Sequence, residues 1–142
     1  MTTPFSGGCI CGAIRYECSA AADEIQMLKC HCRDCQRVSG GPYTPIIFVP
    51  AKTFRITHGK LTHHITASEA HGTHKRGFCA YCGSRLTGGE GPGSTGVGMT
   101  ASSLDEPSAF QPKIEMWVSD AQPWDRLDPT LPKCEKYPPH EG

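Results

Sequence analysis

The chain has 142 residues, 14 acidic and 14 basic side chains, 37% hydrophobic residues, 16 glycines, 12 prolines and nine cysteines. This length fits a single domain, residues 1–142 with a core from about 7 to 138, and the low hydrophobic fraction predicts a thin core. The zero net charge and scattered basic residues argue against a nucleic-acid partner. The densest basic run, His74 to Arg76, has the pattern of a solvated surface. No apolar run approaches the roughly 20 residues of a membrane span, so we expect no membrane partner.

The predicted elements are short strands, because alternating segments are common and no window of 11 or more residues has helical spacing. In chain order these strands are residues 13–18, 46–49, 53–57, 61–65, 97–101 and 114–118. Gly59 is expected to form a hairpin turn between the third and fourth strands. Regular short strands with glycine and proline between them predict an all-β fold, a small fold of packed antiparallel sheets with many loops.

The sequence also predicts the surroundings of one histidine and the conformations of a glycine-rich stretch and of the C-terminal tail. His63 shares a strand face with Leu61 and Ile65 and is predicted to face the interior of a sheet. The stretch from Gly88 to Gly96 is expected to be a flexible loop, since it lacks the sequence context of a phosphate-binding loop. The proline-rich tail after Trp124 predicts an extended strap.

The cysteine pattern points to metal binding. The N-terminus MTTPFSGGC has no positive n-region or apolar h-region of a secretory signal, so we expect a cytoplasmic protein. The number of cysteines is odd, and most lie in C-x-C and C-x-x-C clusters. In a reducing compartment this pattern favours metal ligands over the alternative, disulfides.

Two cysteine pairs far apart in the sequence suit one closed zinc site. Cys79 and Cys82 have zinc-knuckle spacing, and Cys9 and Cys11 lie on one face of an extended segment. Four thiolates complete a tetrahedral structural site, which could contribute on the order of 10 kcal/mol to folding. The alternative is that one of the pairs is simply buried cysteine.

The segment CHCRDC supplies three more cysteines, Cys30, Cys32 and Cys35, with no fourth in the same segment. Three protein ligands and one open position are typical of catalytic zinc. His31 would point away from its neighbours in an extended segment and is a poor ligand. A distant side chain could instead close the site, and the spacing leaves both alternatives open; the candidates are His63, His64, His71, His74 and Cys134.

Five segments together resemble one known family. They are GGCICGAIRYEC, CHCRDCQRVSGG, RGFCAYCGSRL, SSLDEP and EMWVSDAQPWDRLDPTLP, which span Gly7 to Pro138. In the order and spacing of seven cysteines they resemble the glutathione-dependent formaldehyde-activating enzyme family, whose domain a centromere-associated protein shares. The resemblance implies a small β fold of packed sheets with two zinc ions per chain. The implied ligands are Cys9, Cys11, Cys79 and Cys82 for a structural zinc, and Cys30, Cys32 and Cys35 for a catalytic zinc.

The resemblance also implies a reaction, the addition of glutathione to formaldehyde to give S-hydroxymethylglutathione, as in a carbon–sulfur lyase. The expected partners are therefore a small thiol and a small aldehyde. Three thiolates leave a zinc site with a formal charge of −1, which favours activation of the thiol over polarisation of the carbonyl. Arg37 is a candidate ligand for a glutathione carboxylate, with an ordinary surface arginine as the alternative. The alternative function is a non-catalytic zinc module that binds a thiol metabolite or a protein partner.

Overall fold

A computed structural model describes residues 1–68, 72–90 and 93–138. Within these ranges the strands are β1 (Phe5–Gly8), β2 (Arg15–Cys18), β3 (Gln26–Cys30), β4 (Thr44–Pro50), β5 (Phe54–His58), β6 (Thr62–Ser68), β7 (Gly72–Phe78), β8 (Arg85–Glu90), β9 (Gly96–Thr100) and β10 (Ile114–Met116). The α-helix is α1 (Arg33–Ser39), and short 3₁₀ helices span Ala22–Glu24, Ala51–Thr53, Ala101–Ser103, Pro107–Ala109 and Val118–Asp120. Among the described residues no helix has the length and hydropathy needed to cross a bilayer.

The strands form two sheets. The smaller sheet has the order β1-β2-β5, and the larger has the order β10-β3-β4-β9-β8-β7-β6. Strand β10 runs parallel to β3, whereas the other pairs are antiparallel. The prediction of a β fold of packed sheets is confirmed, with one parallel pair that the sequence pattern did not indicate.

Helix α1 was not predicted, because its seven residues are too few to show helical periodicity. Its ends nevertheless have local causes. The Cys32 sulfur accepts a hydrogen bond from the Cys35 amide at the N-terminus of the helix. Gly40 ends the helix in the left-handed region with φ of 72°, and its amide donates to the Gln36 carbonyl. The helix therefore begins inside the CHCRDC segment.

The main core lies between the two sheets. Ile14, Tyr16 and Cys18 are buried on the smaller sheet, as the alternation of that segment predicted. Ile47 and Val49 of β4 belong to the same cluster. Because side chains alternate along a strand, the intervening residues of β4 face the opposite side of the larger sheet. One face of the larger sheet therefore fills the core, and the other is available to form a site.

The predicted loop from Gly88 to Gly96 is wrong at both of its ends. Strand β8 continues through Glu90, and β9 begins at Gly96. Every residue of β9 is buried, because both faces of this central strand are covered. Gly88 pairs with Gly98 across the two strands. Gly88, Gly89 and Gly96 thus lie in the sheet itself, where a low-complexity pattern had suggested flexibility.

Two expectations about β6 are also wrong. Gly59 does not form a hairpin, because β5 belongs to the smaller sheet and β6 is the edge strand of the larger one. His63 is exposed and Ile65 is 62% exposed. Alternation alone cannot show whether either face of an edge strand is covered.

We predict that Gly59→Ala is strongly destabilising. Gly59 has φ of 79°, and a Cβ atom built there would overlap the carbonyl oxygen of Ala13. The control is Gly93→Ala, where φ is 74° and the added Cβ meets no atom within 4 Å. Urea unfolding should show a loss of about 1 kcal/mol for the control, from left-handed strain alone, and at least twice that for Gly59→Ala. Equal losses would contradict the close approach of Gly59 to the Ala13 carbonyl where the chain passes from the smaller sheet to the larger one.

Candidate metal centres and the adjoining cavity

The first cysteine cluster brings together one turn of the smaller sheet and one turn of the larger sheet. Cys9 and Cys11 follow β1, and Cys79 and Cys82 lie between β7 and β8. The four sulfur atoms all lie within 4.8 Å of one another. The Cys9–Cys11 and Cys11–Cys79 sulfur distances are 3.6 and 3.7 Å. A zinc ion with four Zn–S bonds of about 2.3 Å requires sulfurs about 3.8 Å apart, so the cluster fits a tetrahedral zinc site.

Hydrogen-bond donors around this cluster favour thiolates. The Ile14 amide donates to the Cys9 sulfur at 3.3 Å. The Ser84 hydroxyl lies 3.2 Å from the Cys82 sulfur and lowers the pKa of Cys82 to about 5. The Gly83 amide donates to the Cys79 carbonyl and closes the turn. The contacts of the Ile14 amide and the Ser84 hydroxyl stabilise the charged forms of Cys9 and Cys82, which a metal ion would bind.

The second cluster consists of Cys30, Cys32 and Cys35, which we call the triad. Cys30 ends β3, Cys32 caps α1, and Cys35 lies in the first turn of α1. The three sulfurs also lie within 4.8 Å of one another. Contacts with Cys30 and Cys35 lower the pKa of Cys32 to about 2, and the contact with Cys32 raises the pKa of Cys30. Without a cation the triad therefore favours a single shared thiolate, and three thiolates would require a bound metal ion.

The described part of the chain offers the triad no fourth ligand at metal-binding distance. His31 is turned away, as the extended segment predicted. His63 and His64 are exposed on β6, and His71 lies outside the described residues. Cys134 is half-buried in the C-terminal strap, and the Nδ1 atom of His74 lies 3.4 Å from Arg76 Nη2. This arrangement supports the alternative of an open position.

A cavity of about 470 Å³ adjoins the triad. It lies on the face of the larger sheet that is turned away from the core. Much of its lining is apolar, and these side chains come from β3, β4 and the segment from β10 onward: Leu28, Ile46, Phe48, Met116, Trp117 and Tyr137. The size and lining are typical of a small-molecule site.

Trp117 occupies an unusual position above this cavity. Its φ of 61° is left-handed, which costs a residue with a side chain roughly 1–2 kcal/mol. Its amide donates to the Lys136 carbonyl at 3.0 Å, and its ring meets the Tyr137 ring edge-on at 5.3 Å. The C-terminal strap therefore holds Trp117 in place at the cavity. Trp124, by contrast, is 66% exposed.

Arg37 is exposed on α1 and is not among the residues that line the cavity in the described part of the chain. Its position gives the predicted role in substrate binding no support. The lining instead contains Arg33, Arg76 and Arg85. Arg76 is only 6% exposed, so the interpretation of the His74–Arg76 run as a solvated surface is wrong for this residue. A run of basic residues does not reveal which of them a strand turns toward a cavity.

His31 belongs to a buried charged network that the sequence did not reveal. Its Nε2 atom lies 3.0 Å from Glu115 Oε1, and its Nδ1 atom lies 3.1 Å from Asp125 Oδ2. Glu115 is fully buried, and its other carboxylate oxygen accepts a hydrogen bond from the Asp128 amide. Lys133 Nζ lies 3.5 Å from that oxygen. The network fastens the strap to the residue between Cys30 and Cys32, and its members are too far apart in sequence to form a motif.

Comparisons with known proteins agree with this architecture. A sequence profile described as glutathione-dependent formaldehyde-activating enzyme matches residues 4–120. Among solved structures, the crystal structure of a Rhodobacter sphaeroides protein superposes with a TM-score of 0.57 at 20% identity. The match covers 70% of this chain and 87% of that one. At this identity the structural likeness shows the fold alone.

We predict that Glu115→Ala lowers the free energy of unfolding by about 3–5 kcal/mol, because it leaves buried donors and positive charge without their partner. The control is Asp105→Ala, which removes the Arg15–Asp105 ion pair, where both side chains are about 40% exposed or more. An exposed pair contributes at most about 1 kcal/mol. Urea unfolding of metal-loaded protein measures both values, and a Glu115→Ala loss no larger than that of the control would refute a structural role for the network.

Proposed function

Because the chain belongs to the glutathione-dependent formaldehyde-activating enzyme family, we propose that it promotes the addition of glutathione to formaldehyde. The product is S-hydroxymethylglutathione, and the activity is of the carbon–sulfur lyase type. The observation that carries the proposal is the triad, which has three sulfur ligands, no fourth among the described residues, and a cavity beside it. An open position next to a cavity is where a substrate atom can reach a metal ion.

We assign two zinc ions to each chain. Cys9, Cys11, Cys79 and Cys82 would hold a structural zinc, and Cys30, Cys32 and Cys35 a catalytic one. Zinc bound at the triad would supply charge that favours the thiolate form of a substrate thiol at neutral pH. The fit of both sets to zinc rests on their sulfur donors and on the distances between them.

In the proposed reaction the glutathione sulfur attacks the carbonyl carbon. A carbon–sulfur bond forms, the carbonyl π bond breaks, and the thiol proton passes to the oxygen. The side chains that line the cavity would hold the two reactants together, which accelerates a two-substrate addition by making it effectively unimolecular. The apolar walls formed by Phe48, Met116 and Trp117 also keep the local dielectric low, which strengthens electrostatic interactions with a thiolate.

An alternative is a non-catalytic zinc module that binds a thiol metabolite or a protein partner. One observation favours a protein partner. Ile10 and Tyr81, which lie inside the two cysteine pairs of the four-cysteine cluster, are 89% and 88% exposed. Large apolar side chains this exposed are common at contact surfaces. The measurements below separate the two functions.

We also propose a cytoplasmic location. All nine cysteines are free, and seven of them lie in the two clusters. A reducing compartment keeps such thiols available for metal ions.

We predict a zinc content of two ions per chain, falling to one in Cys32→Ser while the circular dichroism spectrum is retained. The triad lies beside a cavity, whereas the four-cysteine cluster joins the two sheets. Cys79→Ser should therefore lose the ordered structure together with zinc. Elemental analysis and circular dichroism test both variants. Two zinc ions in Cys32→Ser would show that the triad is not the second site.

The reaction itself can be followed by NMR, as exchange between free formaldehyde and its glutathione adduct at equilibrium. We expect zinc-loaded protein to accelerate exchange well above the spontaneous rate in buffer, and Cys32→Ser to abolish the acceleration. Cys134→Ser is the matched control, because it removes a cysteine outside both clusters and should keep the activity. Exchange at the buffer rate with fully loaded wild-type protein would favour the non-catalytic alternative.

A further inference from the structure

Two arginines from neighbouring strands share one wall of the cavity. Arg76 lies on β7 and Arg85 begins β8. Phe78 pairs with Arg85, and Arg76 lies two residues before Phe78 on the same face of the strand. A register shift between Gly77 and Phe78 leaves Leu86 of β8 without a partner in β7. Leu86 is buried in the main core, whereas its neighbour Arg85 lines the cavity.

Gly88 of β8 lies beside Arg76. A Cβ added to Gly88 would lie 3.7 Å from Arg76 Cγ, so a larger residue there would extend into the space beside the arginine. Gly88 is paired with Gly98, where an added Cβ would crowd the Gly88 carbonyl at 2.8 Å. The paired glycines therefore leave room next to the arginine wall.

The positive charge of this wall is not neutralised within the protein. Neither Arg76 nor Arg85 has a carboxylate within ion-pair distance in the described ranges. Arg76 donates to the hydroxyl of Thr66 at 2.7 Å and lies 3.4 Å from His74 Nδ1. Arg85 Nη1 is fully buried and has no hydrogen-bond partner there. A buried cation without an anion, and a buried donor without an acceptor, are both costly, so this wall suits a bound anion.

The negative charge of a zinc-loaded triad would neutralise only part of the positive charge of Arg76 and Arg85. Arg76 contributes to the low pKa of Cys32, after the larger effect of the contacts with Cys30 and Cys35. Three thiolates around a divalent zinc ion carry a formal charge of −1, which offsets one of the two arginines. The acidic residues of the lining, Asp34 and Asp120, belong to α1 and to the Val118–Asp120 helix rather than to β7 or β8. Neither carboxylate lies within ion-pair distance of Arg76 or Arg85 in the described ranges, so an anionic ligand can bind the β7–β8 wall without breaking an ion pair.

We propose that Arg76 and Arg85 form a carboxylate-binding subsite, so that the thiol substrate is one that carries a carboxylate away from its sulfur. This inference rests on the proposed function, since it names the part of the thiol that the cavity selects. A guanidinium group binds a carboxylate through two parallel hydrogen bonds. In glutathione the glycine carboxylate is the isolated one, because an ammonium group accompanies the carboxylate at the other end. The glycine carboxylate is therefore the group assigned to this wall.

Calorimetric titration of zinc-loaded protein with S-methylglutathione and its glycine ethyl ester tests the subsite without a free thiol. Wild-type protein should bind the acid at least tenfold more tightly than the ester. Arg85→Gln should reduce that ratio to near one and leave the affinity for the ester unchanged. Arg37→Gln, an exposed arginine outside the lining, is the matched control and should keep the wild-type ratio. Arg85→Lys should show an intermediate ratio, because a lysine keeps the charge without the paired donors.

Equal affinities of wild-type protein for acid and ester, or no binding of either, would overturn the subsite, and neither result depends on a variant that folds. A ratio unchanged in Arg85→Gln would overturn it as well. The proposed function fails separately. If acid and ester are discriminated but exchange of formaldehyde stays at the buffer rate, the subsite stands and the reaction does not. If exchange of formaldehyde is accelerated but acid and ester bind with equal affinity, the reaction stands and the subsite does not.

Discussion

The mutual repulsion of closely spaced thiolates is the constraint on which this structure depends. Four cysteine sulfurs within 4.8 Å cannot all be charged in the absence of a cation, because each pair of unit charges at 4 Å opposes the others by about 4 kcal/mol near a protein surface. A divalent ion at the centre would convert that repulsion into a strong contact between the two sheets. Cys9 and Cys11 follow β1 in the smaller sheet, and Cys79 and Cys82 lie between two strands of the larger one. For a chain with only 37% hydrophobic residues, such a contact compensates for the limited apolar surface that folding can bury.

The larger sheet then has two different uses. One face packs against the smaller sheet, and the other forms the floor of the cavity. β4 illustrates the division, since Ile47 and Val49 enter the core while Ile46 and Phe48 line the cavity. The cavity exists because the segment after β10 returns over this second face. That segment is held by buried charge, through Glu115 and His31, and by the backbone contact between Trp117 and Lys136.

The two cysteine clusters accordingly lie in different surroundings. The four-cysteine cluster lies where the sheets meet, and the triad lies at the junction of β3 and α1, beside the cavity. His31, between two triad cysteines, contacts the carboxylates of Glu115 in β10 and Asp125 in the strap. Movement of the strap would therefore be felt at the triad, even though no strap residue in the described ranges reaches the sulfurs at ligand distance. The cavity combines apolar walls with arginines from α1, β7 and β8, which favours ligands that have both an apolar and an anionic part.

The features that depend on local spacing could be predicted from the sequence. Cysteines two residues apart in an extended segment, or three apart in a tight turn, can face one ion, so both clusters were recognisable, as was the alternation of Ile14 and Tyr16. Helix α1 was missed because its seven residues are fewer than the roughly 11 over which a helical pattern of apolar residues can be recognised. Which strand faces are covered depends on the tertiary structure. Arg76 and Glu115 are buried, whereas His63 and Ile65, which alternation placed on an interior face, are exposed. Burial depends on residues far away in the chain, as where Glu115 meets His31 across 84 positions.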